Sequence, residues 1–244
     1  MTSQPGLAFG VDPANYDNSR PAPPTEVADW LVPSGCDLAV EMGAGTGHFT
    51  RMLLTRAARV IATDLDPQMC EWLTQQYPDV DVRQGGAEEL PVESGTADGV
   101  FSSSSWHWFD PRAAGTEAAR CLKPGGVLGI SWYDGAQIDL WIPEVAEIIH
   151  SAHIPGRRIH ELDLPADLPF TAVEKRVTAY PDQMTPEEIT AMGGTFSGMI
   201  SLSGAHREDL LGEQLEYLRA RAREQGIQAF AISFTSTLYR TRRK

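Results

Sequence analysis

The chain is poor in cysteine: its 244 residues include three, Cys36, Cys70 and Cys121. They are odd in number, far apart and never spaced Cys-x-x-Cys. That argues against a zinc knuckle, a redox pair and a disulfide framework, and it fits a reducing, cytoplasmic setting. Histidine is also sparse. His150, His153, His160 and His206 are scattered, with no ligand spacing such as His-Glu-x-x-His, so no metal is expected. Basic residues are outnumbered, 20 against 33 acidic ones, for a net charge of −13. A nucleic-acid backbone is gripped by clustered Lys and Arg, so no nucleic-acid partner is expected. The one basic cluster, Tyr239 to Lys244, reads as a solvated end. No apolar run reaches the ~18 to 20 residues that cross a bilayer, so no membrane partner is expected. The N-terminal stretch lacks a basic start followed by an apolar core, so no secretory signal is expected either.

What is present is ordinary for a globular protein: 42% hydrophobic and 22% charged residues. The length suits one large α/β domain with insertions. Residues 1 to about 23 are rich in Pro, Asn and Ser and read as a loose leader. A short helix over Thr25 to Val32 follows, with Thr25 as its expected cap. Apolar runs then occur at 37–42, 59–64, 80–84, 97–103 and 125–132. The stretches between them, beginning at Thr46, Asp66 and Pro111, are each long enough for a helix. This alternation predicts βαβ units: a doubly wound, mostly parallel sheet of the Rossmann-like α/β class. Two late β-like runs, 170–180 and 227–240, bring the expected sheet to seven strands. Helical patterns at 139–152, 185–192 and 206–222 interleave with them as insertions in the C-terminal half. Thr185 and Glu188 form a capping box at the start of the second. The insertions are expected over the C-terminal ends of the strands, where open α/β sheets bind ligands.

The most informative stretch is DLAVEMGAGTGHFT, residues 37–50. A dinucleotide fingerprint reads G-x-G-x-x-G. Here Gly43, Gly45 and Gly47 place the third glycine one position early, and His48 stands where it belongs. Glu41 precedes the glycines at the strand end. It would repel a pyrophosphate and would suit a ligand carrying an amine or sulfonium charge. The second run ends in Asp64, a carboxylate placed to accept hydrogen bonds from ribose hydroxyls. A ribose joined to a cationic, phosphate-free partner describes S-adenosylmethionine.

Four successive segments carry a resemblance: VEMGAGTG, VIATDLDPQM, GGAEELPVESGTADGVFSS and AARCLKPGGVLGISW. In this order they resemble the motifs of class I S-adenosylmethionine-dependent methyltransferases of the type 11 domain, over roughly residues 35–133. WHWFD, Trp106 to Asp110, and the leader segment Tyr16 to Pro24 resemble the trans-aconitate methyltransferase-like group. The resemblance implies three regions of one continuous domain. Residues 1–34 form a leader and lid helix, 35–133 a cofactor-binding core, and 134–244 the last two strands with a helical substrate cap.

It also implies roles. Gly43, Ala44 and Gly45 let the backbone approach the methionine part of the cofactor, while Glu41 acts through nearby groups and charge. Asp64 takes the ribose hydroxyls and Leu65 covers one adenine face. Ala87 and Glu88 lie at the adenine edge. Relatives often carry Asp before that alanine, where this chain has Gly86, so a backbone group or Glu88 would stand in. Ser103 and Ser104 lie beside the methionine moiety, with Ser104 smaller than the usual residue. His107 follows the fourth strand, where it either takes a proton from the acceptor as a base or orders its own turn. Trp106 and Trp108 either pack or wall the acceptor pocket. Tyr16 and Arg20 are placed to fold over the ligands. The implied activity is methyl transfer to a small molecule, at a carboxylate or hydroxyl oxygen, by a monomer or homodimer. Methylation at carbon or nitrogen, a dehydrogenase with a variant loop, and a cofactor-binding protein without transfer are the competing readings.

Overall fold

The computed structural model of the chain describes residues 12–134, 138–151 and 161–244. The first part of the leader, His153, His160 and the side chain of His150 lie outside the described residues. The chain opens with α1 (Pro13–Ser19) and α2 (Thr25–Leu31), followed by β1 (Cys36–Met42), α3 (Thr50–Leu53) and β2 (Ala57–Asp64). Next come α4 (Pro67–Gln76), β3 (Asp81–Gln84), β4 (Ala97–Ser103), α5 (Pro111–Cys121) and β5 (Leu122–Asp134). The second half holds α6 (Pro143–Ser151), β6 (Glu174–Met184), α7 (Pro186–Gly194), α8 (Ser197–Ile200), α9 (Gly204–Gln225) and β7 (Phe230–Arg242).

The seven strands form one sheet in the order β3-β2-β1-β4-β5-β7-β6. β7 is antiparallel to both β5 and β6, and the other pairings are parallel. The doubly wound, mostly parallel α/β class is the observed one. The inner strands are buried on both faces, as parallel sheets covered by helices require. Leu38, Val40 and Met42 join a core with α5 residues Ala114 and Ala118. Ala39 joins the opposite core, with Val27 and Leu31 of α2 and Leu73 of α4. The strand order reverses between β1 and β4. The crevice above their carboxyl ends is the usual ligand position in such sheets.

Several local expectations change. The leader is not loose from residue 13 onward: Asp12 accepts from Asn15 N at 3.1 Å and caps α1. Thr25 is not a cap. Pro24 holds that position and Thr25 is the first helical residue. The stretch after the glycines yields only the single turn α3. Its first residues are spent on the glycine loop, and β2 begins at Ala57. The sixth strand starts four residues later than the apolar run, because Phe170 is buried in the core and makes only a bridge to Arg243. Pro181 sits inside β6, which is possible because β6 is the outermost strand. The basic C-terminus is not a solvated tail. Residues through Arg242 belong to β7, and Arg240 and Arg242 donate to the carbonyls of Trp30 and Gly125 at 2.9 and 3.0 Å.

The insertions form a third core. Trp141, Val145, Ile189, Met192, Met199, Leu210 and Leu218 gather around Met184 at the end of β6 and Phe230, Ile232 and Phe234 at the start of β7. This is the carboxyl end of the parallel strands, where the insertions were expected. The capping box of Thr185 and Glu188 is formed. Burial of each large apolar side chain is worth about 1.5–3 kcal/mol, so hydrophobic contact outweighs exposed ion pairs in holding the cap to the sheet. One polar residue is fully enclosed there. Gln214 accepts from Ile142 N at 2.8 Å and donates to Leu140 O at 2.7 Å, clamping the approach to α6 onto α9.

Replacing Gln214 by Ala strands the buried Leu140 carbonyl and the part-buried Ile142 N–H, and an unmade buried group costs about 1–3 kcal/mol. Chemical denaturation of Gln214→Ala is expected to show a loss of about 2–4 kcal/mol. A loss below about 1 kcal/mol would show that the clamp is dispensable.

Candidate functional site

β1, β2 and β4 end level with one another. Met42 is opposite Thr63, and Glu41 is opposite Phe101. The chain leaves β1 through Gly43, whose φ of +64° only glycine adopts readily. A Cβ there would lie 2.8 Å from Ser105 Cβ, so glycine is also required for close approach to the β4 loop. Gly45 is different. Its φ is +56°, and a Cβ would meet nothing within 4 Å. Open space beside a turned-up backbone is what a bound molecule can fill.

Asp64 closes the other side of this space. Its Oδ2 accepts from Gly45 N at 2.8 Å and its Oδ1 from Asp66 N at 2.9 Å. Each carboxylate oxygen has a second lone pair, so two hydroxyls can still be accepted. Capping of α4 falls to Asp66, which accepts from Gln68 N at 2.9 Å, and this leaves Asp64 with no helix to cap. Burial raises the Asp64 pKa, and the N–H groups of Asp66 and Gly45 partly offset the rise. Glu41 lies beneath the loop at 1% exposure, with Thr50 Oγ1 donating to it at 2.5 Å. Burial pushes its carboxyl up to about 8, against the pull of Thr50. The negative charge of Asp64 pushes it further in the same direction. Two carboxyl groups thus share one pocket wall. Asp64 suits a ligand with a diol, and neither carboxyl group offers a phosphate a positive partner. This agrees with S-adenosylmethionine and with the glycine spacing.

The remaining residues take the following places. Ala44 is buried. Leu65 is 41% exposed beside Asp64, an apolar side chain turned outward at the site's rim. Ala87 is buried, whereas Glu88 is exposed and accepts from Asp110 N at 2.8 Å. A Cβ added at Gly86 would stand 3.3 Å from Glu88 Oε2 and 4.0 Å from Leu65 Cδ1. The Glu88 carboxylate therefore reaches over the position where relatives carry Asp. Ser103 ends β4 half-buried. Ser104 adopts φ +54°, the sole positive value among described non-glycine residues, and donates from its N–H to Ser131 O at 2.7 Å.

The 3-10 turn Trp106–Trp108 follows. Trp106 is 2% exposed and packs edge-on to Phe109 at 6.0 Å, so it belongs to the core under the loop. His107 and Trp108 are half-buried, with ring centroids 4.9 Å apart. His107 Nδ1 accepts from Trp132 Nε1 at 3.2 Å. Arg20 and Tyr16 meet at the end of α1, the guanidinium lying 5.4 Å from the Tyr16 ring. Arg20 also lies 4.3 Å from the Phe196 ring and donates to Thr195 Oγ1 at 2.7 Å. The leader is thereby attached to the cap.

Sequence reasoning missed four of these contacts. Ser105 Oγ donates to Met42 O at 3.0 Å and fastens the two loops together. His48 Nε2 approaches Asp17 at 3.3 Å, joining α1 to the glycine loop. Burial lowers the His48 pKa and Asp17 opposes that shift. Trp132 closes the fourth of the motif segments, but nothing in that segment marks its bond to His107, and Thr195 lies far from the motifs in sequence. The serine run 102–105 was the one available signal. Among the described residues no cluster of metal ligands is present, and no helix is long and apolar enough to cross a membrane.

Comparison with known proteins agrees with this geometry. A methyltransferase domain family matches residues 40–130. An uncharacterized methyltransferase of Mycobacterium tuberculosis (strain ATCC 25618 / H37Rv) is 36% identical over 183 residues, 75% of this chain and 74% of the relative. Malonyl-[acyl-carrier protein] O-methyltransferase of Methylococcus capsulatus is 31% identical over 54% of this chain and 52% of its own. Among solved structures, a candidate type II methyltransferase of Anaeromyxobacter dehalogenans superposes with a TM-score of 0.66 at 23% identity, covering 92% of this chain and 97% of that one. Geranyl diphosphate methyltransferase in complex with S-adenosylmethionine gives a TM-score of 0.51 at 17% identity, over 90% and 85% of the two chains, a likeness of fold. With a glycine turn between two carboxyl groups, the matched domain, and a relative of this identity and coverage, the chain belongs to the class I S-adenosylmethionine-dependent methyltransferases.

Proposed function

We propose that the chain methylates a small molecule at oxygen, with a carboxylate or hydroxyl as acceptor. The observation that carries this reading is Arg20, anchored by Thr195 and stacked on Phe196, a fixed cation that joins the leader to the helical insertions. A fixed guanidinium suits an anionic acceptor. The O-methyltransferase among the relatives supports the same atom type. Free thiols at Cys36, Cys70 and Cys121 support a reducing, cytoplasmic setting.

The cofactor supplies an electrophilic methyl carbon, and its transfer leaves a neutral thioether. The protein's work is alignment and exclusion of water, which together lower a barrier by up to ~7–11 kcal/mol in favourable cases. Gly43 to Gly45 carry the methionine part, and Asp64 fixes the ribose. Leu65, Ala87 and Glu88 bound the adenine, Glu88 in place of the missing Asp. Ser103 and Ser104 border the methionine part. Tyr16, Arg20, Trp108 and His107 face the acceptor, and Trp106 supports them from below.

Incubation with methyl-labelled S-adenosylmethionine and a small-molecule extract is expected to yield one labelled metabolite. Release of its label in mild base identifies an ester. A label stable to base and held on carbon or nitrogen overturns the O-methyl reading, and cofactor binding without any transfer overturns the enzymatic one.

Gly45→Ala places a methyl group in the open space at a positive φ. Calorimetry is expected to show S-adenosylmethionine affinity reduced more than about tenfold, with a stability loss of only about 1–2 kcal/mol. Unchanged affinity would remove Gly45 from the cofactor site.

Glu41 makes stability depend on pH. Between 4.5 and about 8 the unfolded chain has this carboxyl ionised while the folded chain keeps it protonated. The folded state then holds more protons, so this group's contribution to stability falls as pH rises through that window. Glu41→Gln removes the effect. The ligand-free Tm of Glu41→Gln is expected to overtake the wild type as pH rises from about 5 to 8. Parallel Tm profiles would show that Glu41 stays ionised throughout.

A further inference from the structure

The contact between Trp132 and His107 bears on what the histidine can do. Trp132 lies on β5, 2% exposed, with its ring edge-on to Tyr239 at 5.9 Å. An indole nitrogen only donates. It points at His107 Nδ1, 3.2 Å away. A neutral imidazole has one nitrogen that donates and one that accepts, and the partner of one nitrogen settles the state of the other. Because Trp132 cannot accept, Nδ1 must be the accepting nitrogen. The hydrogen of the neutral ring is then on Nε2.

We infer that Trp132 is a positioning residue that holds His107 as the Nε2–H tautomer, so that His107 does not serve the methyl acceptor as a base. In a neutral imidazole the only basic lone pair is that of the accepting nitrogen. Here it is the one engaged by the indole N–H. Taking a proton there would break the Trp132 bond and set two donors against each other. The acceptor therefore arrives already ionised, which selects a carboxylate over an alcohol. One carboxylate oxygen forms the new bond to the methyl carbon, and the carbon–sulfur bond breaks with its electron pair remaining on sulfur. No proton is released, so no base is required.

This inference rests on the proposed O-methylation for its chemistry, but the tautomer is measurable without any acceptor. Long-range proton–nitrogen correlation NMR on histidine-labelled protein reads which ring nitrogen carries the hydrogen. The wild type at about pH 8 is expected to show His107 as Nε2–H, and Trp132→Phe to show a mixture of tautomers. A wild-type ring protonated on Nδ1, or a ring unchanged in Trp132→Phe, overturns the inference. With the metabolite found by label transfer as acceptor, His107→Gln keeps a donor but has no basic lone pair. It is expected to retain turnover within about threefold, while His107→Ala loses about tenfold. Equal, large losses in both variants would assign His107 the role of base and overturn the inference. A wild type with the Nε2–H tautomer but no transfer to any small molecule would instead overturn the functional reading.

Discussion

The hydrogen bond from Gly45 N to the Asp64 carboxylate fixes the geometry on which the site depends. It ties the loop after β1 to the end of β2 and sets the width of the space between them. Gly45 turns its N–H toward Asp64 and then continues at a positive φ. Asp64 must be spared from capping α4, which Asp66 allows. Thr63 reinforces the same seam through its hydroxyl, donating to Glu41 O at 2.8 Å. Each neighbour has its role because this one bond has to form.

A second layer of constraint comes from charge. Glu41 is buried and Asp64 is adjacent, so two carboxyl groups lie close together where burial opposes the charge of each. Burying an unpaired carboxylate is costly, and a raised pKa relieves that cost. A ligand that brings positive charge relieves it as well. Attraction for the cofactor and discrimination against phosphates thus have one physical source.

The fold was legible in the sequence, because it depends on local signals. Alternating apolar runs gave the strands, and the spacing of Gly43, Gly45 and Asp64 pointed to one place in the fold, where Gly45 N meets Asp64. Thr185 and Glu188 marked a helix start that the structure retains. What failed to show depends on contacts between distant residues. The short α3 reflects a loop that uses up residues whose apolar pattern reads as helix. The arginines at the C-terminus read as solvated because their carbonyl partners, at Trp30 and Gly125, are more than a hundred positions away. Trp132 stands in a motif segment, but its contact was not visible there. Its role lies in a bond to a residue 25 positions earlier.

The outer strand β6 has a consequence for how copies of the chain meet in solution. An unpaired sheet edge is a template on which another strand can grow. Along this edge Pro181 contributes no N–H, and Lys175, Arg176 and Asp182 bring charge of both signs. A strand added there would find a missing rung at Pro181 and would desolvate the charges flanking it. The open margin of the sheet is thereby a poor seed for aggregation, although Val177 at its centre is more than half exposed.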